Sequence, residues 1–178
     1  MIVLLGESGS GKSSIEKYLV ENYGYKKIVS YTTRQPREGE VDGVDYHFIT
    51  VSQFRRLKLQ GFFAEESTYR DWYYGVAKRD CTDDKVAVLT PHGLRQISKI
   101  DDINITSFYI NVPRRDRLIK ILQRGDSIEE SYRRNVSDVG MFDGIEDEVD
   151  YVIHNYGYEK SIEEMSKEVL HLALKDNN

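Results

Sequence analysis

Residues 6–13 read Gly-Glu-Ser-Gly-Ser-Gly-Lys-Ser, directly after the apolar run Ile2–Leu5 and directly before a helical run carrying Ile15 and Leu19. The pattern G-x-x-x-x-G-K-S between a strand and a helix admits few folds. Its glycines take backbone conformations closed to residues with a Cβ and turn amide N–H groups toward an anion, and the helix that follows adds its positive end. A glycine-rich turn that served packing alone would have no need of Lys and Ser in register. The stretch predicts a triphosphate cradle in which Gly6, Ser8, Gly9, Ser10, Gly11, Lys12, Ser13 and Ser14 bind ATP. Lys12 is the expected catalytic cation at the β- and γ-phosphates, and the Ser13 hydroxyl is the expected Mg2+ ligand.

Strand-length apolar segments recur at Val86–Leu89, Ile105–Val112 and Tyr151–Ile153, separated by stretches of helical pattern. This alternation predicts an α/β fold, a parallel sheet covered by helices on both faces. The last helix is the plainest, with Ile162, Met165, Val169 and Leu172 on one face and Glu163, Glu164, Lys167 and Glu168 elsewhere. Residues 30–80 break the pattern with short extended runs rich in Tyr and Phe and one helix over Gln53–Gln60, which predicts an inserted, mainly β lobe. Residues 124–144 are charged, lack a clean apolar stripe and read as a helical lid. The expectation is a single domain over 1–178 with these two appendages.

Composition narrows the partners. With 178 residues, 39% hydrophobic and 31% charged, the chain can form a core, and a net charge of −5 argues against general attraction to nucleic acid or anionic membrane. The run Tyr69, Trp72, Tyr73, Tyr74 could stack on single-stranded bases, but in an acidic chain with alternating faces it reads as lobe packing. One cysteine, Cys81, and the lack of a signal-peptide pattern or membrane-length apolar run give the cytoplasm as the expected compartment.

A triphosphate cradle needs an acceptor. In Ser30–Phe48, Arg34 and Arg37 flank a proline in a glycine-containing loop, and Tyr46 follows. Two guanidinium forks and a phenol suit a monophosphate. A solvated charged loop is the alternative.

The stretch resembles the guanylate kinase family, with Ser30, Thr32, Thr33, Arg34, Pro36, Arg37, Gly39, Glu40, Gly43, Tyr46 and Phe48 on the family's pattern, and the likeness continues through Gly61–Glu65, Tyr73-Tyr74-Gly75, the Arg124 region and Val152–Asn155. The resemblance implies that Arg34, Arg37, Tyr46 and Tyr74 hold the acceptor phosphate while Ser30 and Glu65 face guanine. Guanine offers adjacent N1–H and N2–H donors that one carboxylate can accept together, a pair that adenine lacks. Glu66 reads as a solvent-facing neighbour.

Closing arginines would neutralise the moving phosphoryl group and exclude water. Arg124, Arg133 and Arg134 are the candidates. Ser127 reads as the N-cap of a helix carrying the latter two, with Arg134 the expected phosphate contact. Asn155 stands at the family's adenine-contacting position, where its amide could either pair with the donor base or cap the turn before the last helix. The chain also departs from the family. Where an acidic D-x-D pattern is usual it reads Val88-Leu89-Thr90, with Thr90 at an acceptor-side position, and Val76 replaces a hydroxyl residue.

The expected activity is therefore transfer of the γ-phosphate of ATP, with Mg2+, to a nucleoside monophosphate, GMP or dGMP. The alternatives are a kinase of the same architecture with another small phosphorylated acceptor and a non-catalytic interaction module. A module would have little reason to keep Lys12, Ser13 and the lid arginines together.

Overall fold

The computed structural model describes residues 1–69, 71–123 and 128–175. Strand β1 (Ile2–Leu5) runs into the glycine loop, and α1 (Lys12–Tyr23) leaves it. The short strands β2 (Lys26–Lys27), β3 (Tyr31–Thr32) and β4 (His47–Phe48) follow, then α2 (Val51–Leu59), the hairpin β5 (Phe63–Tyr69) and β6 (Trp72–Ala77), β7 (Lys85–Val88) and α3 (Pro91–Ile97). The chain continues through β8 (Thr106–Asn111), α4 (Arg114–Gln123), α5 (Ile128–Asp138), β9 (Tyr151–His154) and α6 (Ile162–Lys175).

Two sheets result. The first is five-stranded, parallel throughout, in the order β2-β7-β1-β8-β9. Because successive side chains alternate faces, all of β1 can be buried only if both faces are covered. On one face Ile2 and Leu4 meet Ile15 and Leu19 of α1 and Met165, Val169 and Ala173 of α6. On the other, Val3 and Leu5 meet Leu94 and Ile97 of α3 together with Phe142 and Ile145. The α/β class read from the alternation is the one observed.

The second sheet is four-stranded, β4-β3-β6-β5, with β3 and β4 parallel and the remaining pairs antiparallel. It is held from outside by α2, which begins at Val51, two residues before the expected Gln53. The reason is a capping box: the Thr50 side chain accepts from the Gln53 N–H while the Gln53 side chain accepts from the Thr50 N–H. Its single buried residue, Phe54, stacks on Phe63 at 4.5 Å and on Tyr73 at 5.3 Å between ring centroids. Tyr73 of the aromatic run is thus lobe packing. The edge strand β5 is tied to α3 by Gln96, whose side chain accepts from the Glu66 N–H at 3.0 Å and donates to its carbonyl at 2.7 Å. Glu66 also pairs with Lys58 at 2.7 Å across the surface. No helix among the described residues is long and apolar enough to cross a membrane.

Since one ring joins α2 to the lobe sheet, Phe54→Ala should cost about 3–5 kcal/mol of stability. Urea unfolding followed by circular dichroism should show the midpoint falling with the slope retained.

Candidate active site

The phosphate loop sits at the end of the central strand β1, and only glycine fits at its first turn. Gly6 has φ +145°, and a Cβ there would lie 2.7 Å from the Ile110 carbonyl oxygen and 2.7 Å from Ser10 Oγ. Gly9, at φ +87°, passes so close to α4 that a Cβ would meet Ile121 at 3.0 Å and the Arg117 carbonyl at 3.1 Å. Glu7 fastens the loop from behind, accepting from Arg117 at 3.0 Å and from the Tyr109 hydroxyl at 2.9 Å. Arg117 also donates to the Val112 carbonyl at 2.9 Å. Lys12 Nζ donates to the Glu7 carbonyl at 2.9 Å and to Ser10 Oγ at 3.3 Å. Burial lowers the Lys12 pKa to about 8, against the opposing charges of Asp138 and Glu7. A bound polyphosphate would favour the protonated form.

On one side of the loop lies a cavity of about 570 Å3 lined by Gly11, Ser13, Ser14, Lys120, Tyr158 and Ile162, among others. Tyr158 buttresses the loop, its hydroxyl donating to the Gly9 carbonyl at 2.7 Å from a backbone held at φ +57°. Lys120 Nζ lies 5.3 Å from the centroid of the Tyr158 ring. Asn155 is buried and is not in this lining. Its side-chain oxygen accepts from the Lys160 N–H at 2.9 Å, and its amide donates to the Lys160 carbonyl at 3.0 Å and contacts Met165 Sδ. In this arrangement the amide is occupied by the turn before α6.

The acceptor residues gather on the lobe. The Thr32 hydroxyl accepts from the Arg34 N–H at 3.1 Å and that of Thr33 from the Tyr73 N–H at 2.9 Å, which fixes where the strand ends and the arginine begins. Arg34 is buried and donates to Glu40 at 2.7 Å, with its guanidinium 5.4 Å from the Tyr46 ring centroid and its charge reinforced by Tyr74. The other oxygen of Glu40 accepts from the Arg37 N–H at 2.7 Å. Those two bonds hold the Glu40 pKa near about 2. The Arg37 side chain is exposed.

A second cavity, about 260 Å3, lies between loop and lobe and brings Ser13 together with Ser30, Tyr46, Val76, Val88 and Glu16. Thr90 lies elsewhere, in a cavity shared with Ser67 and Tyr73, and its hydroxyl caps α3 by accepting from the Gly93 N–H at 3.1 Å. Glu65 stands opposite Val76 in the β5–β6 register and is in neither lining. It is 6% exposed, and burial raises its pKa to about 7, only partly offset by a hydrogen bond from Ser67. Gly93 leaves room for it: a Cβ there would lie 3.2 Å from Glu65 Oε1.

Ser13, Ser30 and Tyr46 thus line the gap between loop and lobe, Arg34 and Tyr74 stand beside Tyr46, and Lys12 lines the cavity on the other side of the loop, whereas Thr90 and Asn155 are engaged in local turns. Arg124 lies outside the described residues, as does the side chain of Arg134; Arg133 is half-buried on α5. Glu40 stood in the sequence pattern but carried no assigned role, since only the fold shows that it joins the Arg34 guanidinium to the Arg37 backbone N–H. Tyr158 and Lys120 had no signal in the sequence at all.

A parallel sheet with a phosphate loop on its central strand, facing an arginine-bearing β lobe, defines a P-loop phosphotransferase. The guanylate kinase family model matches residues 1–172, and the chain belongs to that family. The guanylate kinase of Nitratidesulfovibrio vulgaris is 38% identical over 145 residues, 77% of this chain and 70% of that protein. The guanylate kinase of Syntrophus aciditrophicus is 33% identical over 177 residues, 92% of this chain and 82% of that one. Among solved structures, the guanylate kinase from Anaplasma phagocytophilum superposes with a TM-score of 0.69 over 99% of this chain and 85% of its own, at 22% identity, a likeness of fold.

Because Glu40 orients the Arg34 guanidinium and fixes the backbone at Arg37, Glu40→Gln should raise KM for the monophosphate acceptor about tenfold while leaving KM for ATP within twofold. Steady-state kinetics with each substrate varied in turn would measure it.

Proposed function

We infer that this chain transfers the γ-phosphate of ATP to GMP or dGMP, giving ADP and the corresponding diphosphate. The observation that carries the reading is the cavity in which Ser13 of the phosphate loop meets Ser30 and Tyr46 of the acceptor lobe. Lys12 offsets the charge that spreads over the transferring group. Arg34, oriented by Glu40, holds the acceptor phosphate with Arg37, Tyr46 and Tyr74, so that a phosphate oxygen of the acceptor attacks in line. That oxygen is already a nucleophile, and no side chain has to remove a proton.

Glu65 accepts from guanine N1–H and N2–H, with Ser30 beside the base. Arg124 and Arg134 take their role in closing over the phosphates from the family resemblance. Mg2+ suits the oxygen donors here, the Ser13 hydroxyl with the Glu16 and Asp45 carboxylates lining the same cavity, and it would neutralise charge on the phosphates. The compartment inferred is the cytoplasm, where the lone Cys81 thiol, raised to about 11 by burial, stays reduced.

A second reading, a broader acceptor range, is favoured by Val76. It is buried against the acceptor cavity and can make no hydrogen bond to a base from its side chain.

A panel of monophosphates in a coupled assay of ADP release tests the activity. GMP and dGMP should stimulate release far above the ATP-only rate, and no stimulation by any monophosphate would overturn the reading. Lys12→Ala should lower kcat by on the order of 100-fold or more. Near-normal turnover would remove Lys12 from the transfer step.

The raised pKa of Glu65 gives the assay a pH signature. Only the ionised carboxylate accepts both guanine donors, so KM for GMP should rise as pH falls below about 7. Far below that value the rise should approach about tenfold per unit. In Glu65→Gln this acid limb should vanish and the preference for GMP over AMP should collapse.

A further inference from the structure

Helix α5 is folded with its polarity reversed. The residues it turns inward, Ser131 and Asn135, are polar, while Ile128, Tyr132 and Val136 face outward. An amphipathic helix held by burial would show the opposite arrangement. Hydrogen bonds along the inner face dock this one. Asn135 Oδ1 accepts from Arg114 Nε at 3.0 Å and from its terminal nitrogen at 2.5 Å. One turn further on, Asp138 Oδ2 accepts from the Ser8 N–H at 2.7 Å.

The second contact falls inside the phosphate loop. Ser8 is among the residues whose backbone the glycine pattern turns toward an anion, and the anion on it is the chain's own carboxylate. Asp138 also acts electrostatically on Lys12, raising its affinity for a proton against the effect of burial. A carboxylate on a loop amide beside the loop lysine presents the same chemistry as a phosphate oxygen: negative charge, accepting lone pairs and a short donor–acceptor distance.

We propose that Asp138 is a built-in competitor of the nucleotide phosphates, occupying the phosphate loop of the empty enzyme and displaced when ATP binds, so that it sets the affinity for ATP. The proposal rests on the reading of the loop as the ATP site. Displacement frees the last turn of α5 from the loop while Asn135 and Arg114 still hold the preceding turn. The position of α5 thereby depends on whether the loop is filled. A helix docked by hydrogen bonds with its apolar residues already in water loses little buried apolar surface when that end lifts.

The test is ATP and adenosine binding to the full chain by isothermal titration calorimetry, comparing the unaltered protein with Asp138→Asn, which removes the charge, Asp138→Ala, which also removes the acceptor, and Lys12→Ala. Each variant is first checked for native circular dichroism. Asp138→Asn should tighten ATP binding by about tenfold, Asp138→Ala by at least as much, and neither should alter adenosine binding. ATP binding that needs Lys12 but is unchanged or weaker in both Asp138 variants would overturn this proposal and leave the ATP site standing. ATP binding indifferent to Lys12 would remove the ATP assignment and the proposal with it. A second measurement uses the unaltered protein. The carboxyl 13C resonance of Asp138 should shift on titration with tripolyphosphate and stay in place with adenosine, and a resonance that ignores tripolyphosphate would refute displacement.

Discussion

The pairing of Glu7 with Arg117 is the constraint on which the site depends. Glu7 is a loop residue with a tyrosine on one oxygen and an arginine on the other, and Arg117 in turn reaches the carbonyls of Val112 and Ser8. Arg117 is 5% exposed, and a charge buried that deeply is tolerable only when paired and hydrogen-bonded. The pair therefore fixes the entrance of the loop, the end of β8 and the helix α4 as one body. Against that body Gly9 can approach α4 closely, and Tyr158 can reach the Gly9 carbonyl.

The acceptor lobe shows the same use of a carboxylate as a bracket. Glu40 ties the buried Arg34 guanidinium to the backbone of Arg37, whose own side chain is exposed. Among the described residues Glu65 has no such partner cation. Its carboxyl is left to burial and one hydroxyl, and burial raises its pKa to about 7.

The sheet and the phosphate loop were legible because they rest on local signals: alternating apolar faces, a glycine pattern and a run of helical spacing. The start of α2 was misplaced by two residues because Thr50 and Gln53 act as a reciprocal pair, which periodicity does not register. Helix α4 falls in a stretch read as helical, but its bounds carry little signal, since only Arg117 and Ile121 are buried along it and one of these is charged. The family pattern singled out Arg34, Tyr46 and Glu65, whereas Tyr158 and Asp138 reach the loop from residues far away in the chain, where no spacing announces a contact. Both Thr90 and Asn155 illustrate the opposite case: a polar side chain whose nearest backbone groups can satisfy it is open to a local role that position in a pattern does not exclude.

The place of β1 in the sheet bears on how the chain acquires its site. Ile2 pairs with Val86 on one side and Thr106 on the other, so β1 stays without a partner strand until residue 86 has been made, and has both only after residue 106. Contacts of such sequence separation carry a large loop-closure entropy and fold slowly. During synthesis the apolar run Ile2–Leu5 waits with its strand edges unpaired, a period in which it is open to association with other chains. The lobe hairpin β5–β6, whose partners lie a few residues apart, is free of that delay. Acceptor-side structure can therefore form while the nucleotide cradle is still an unpaired strand, and the competence to bind ATP arrives only with β8 and α4.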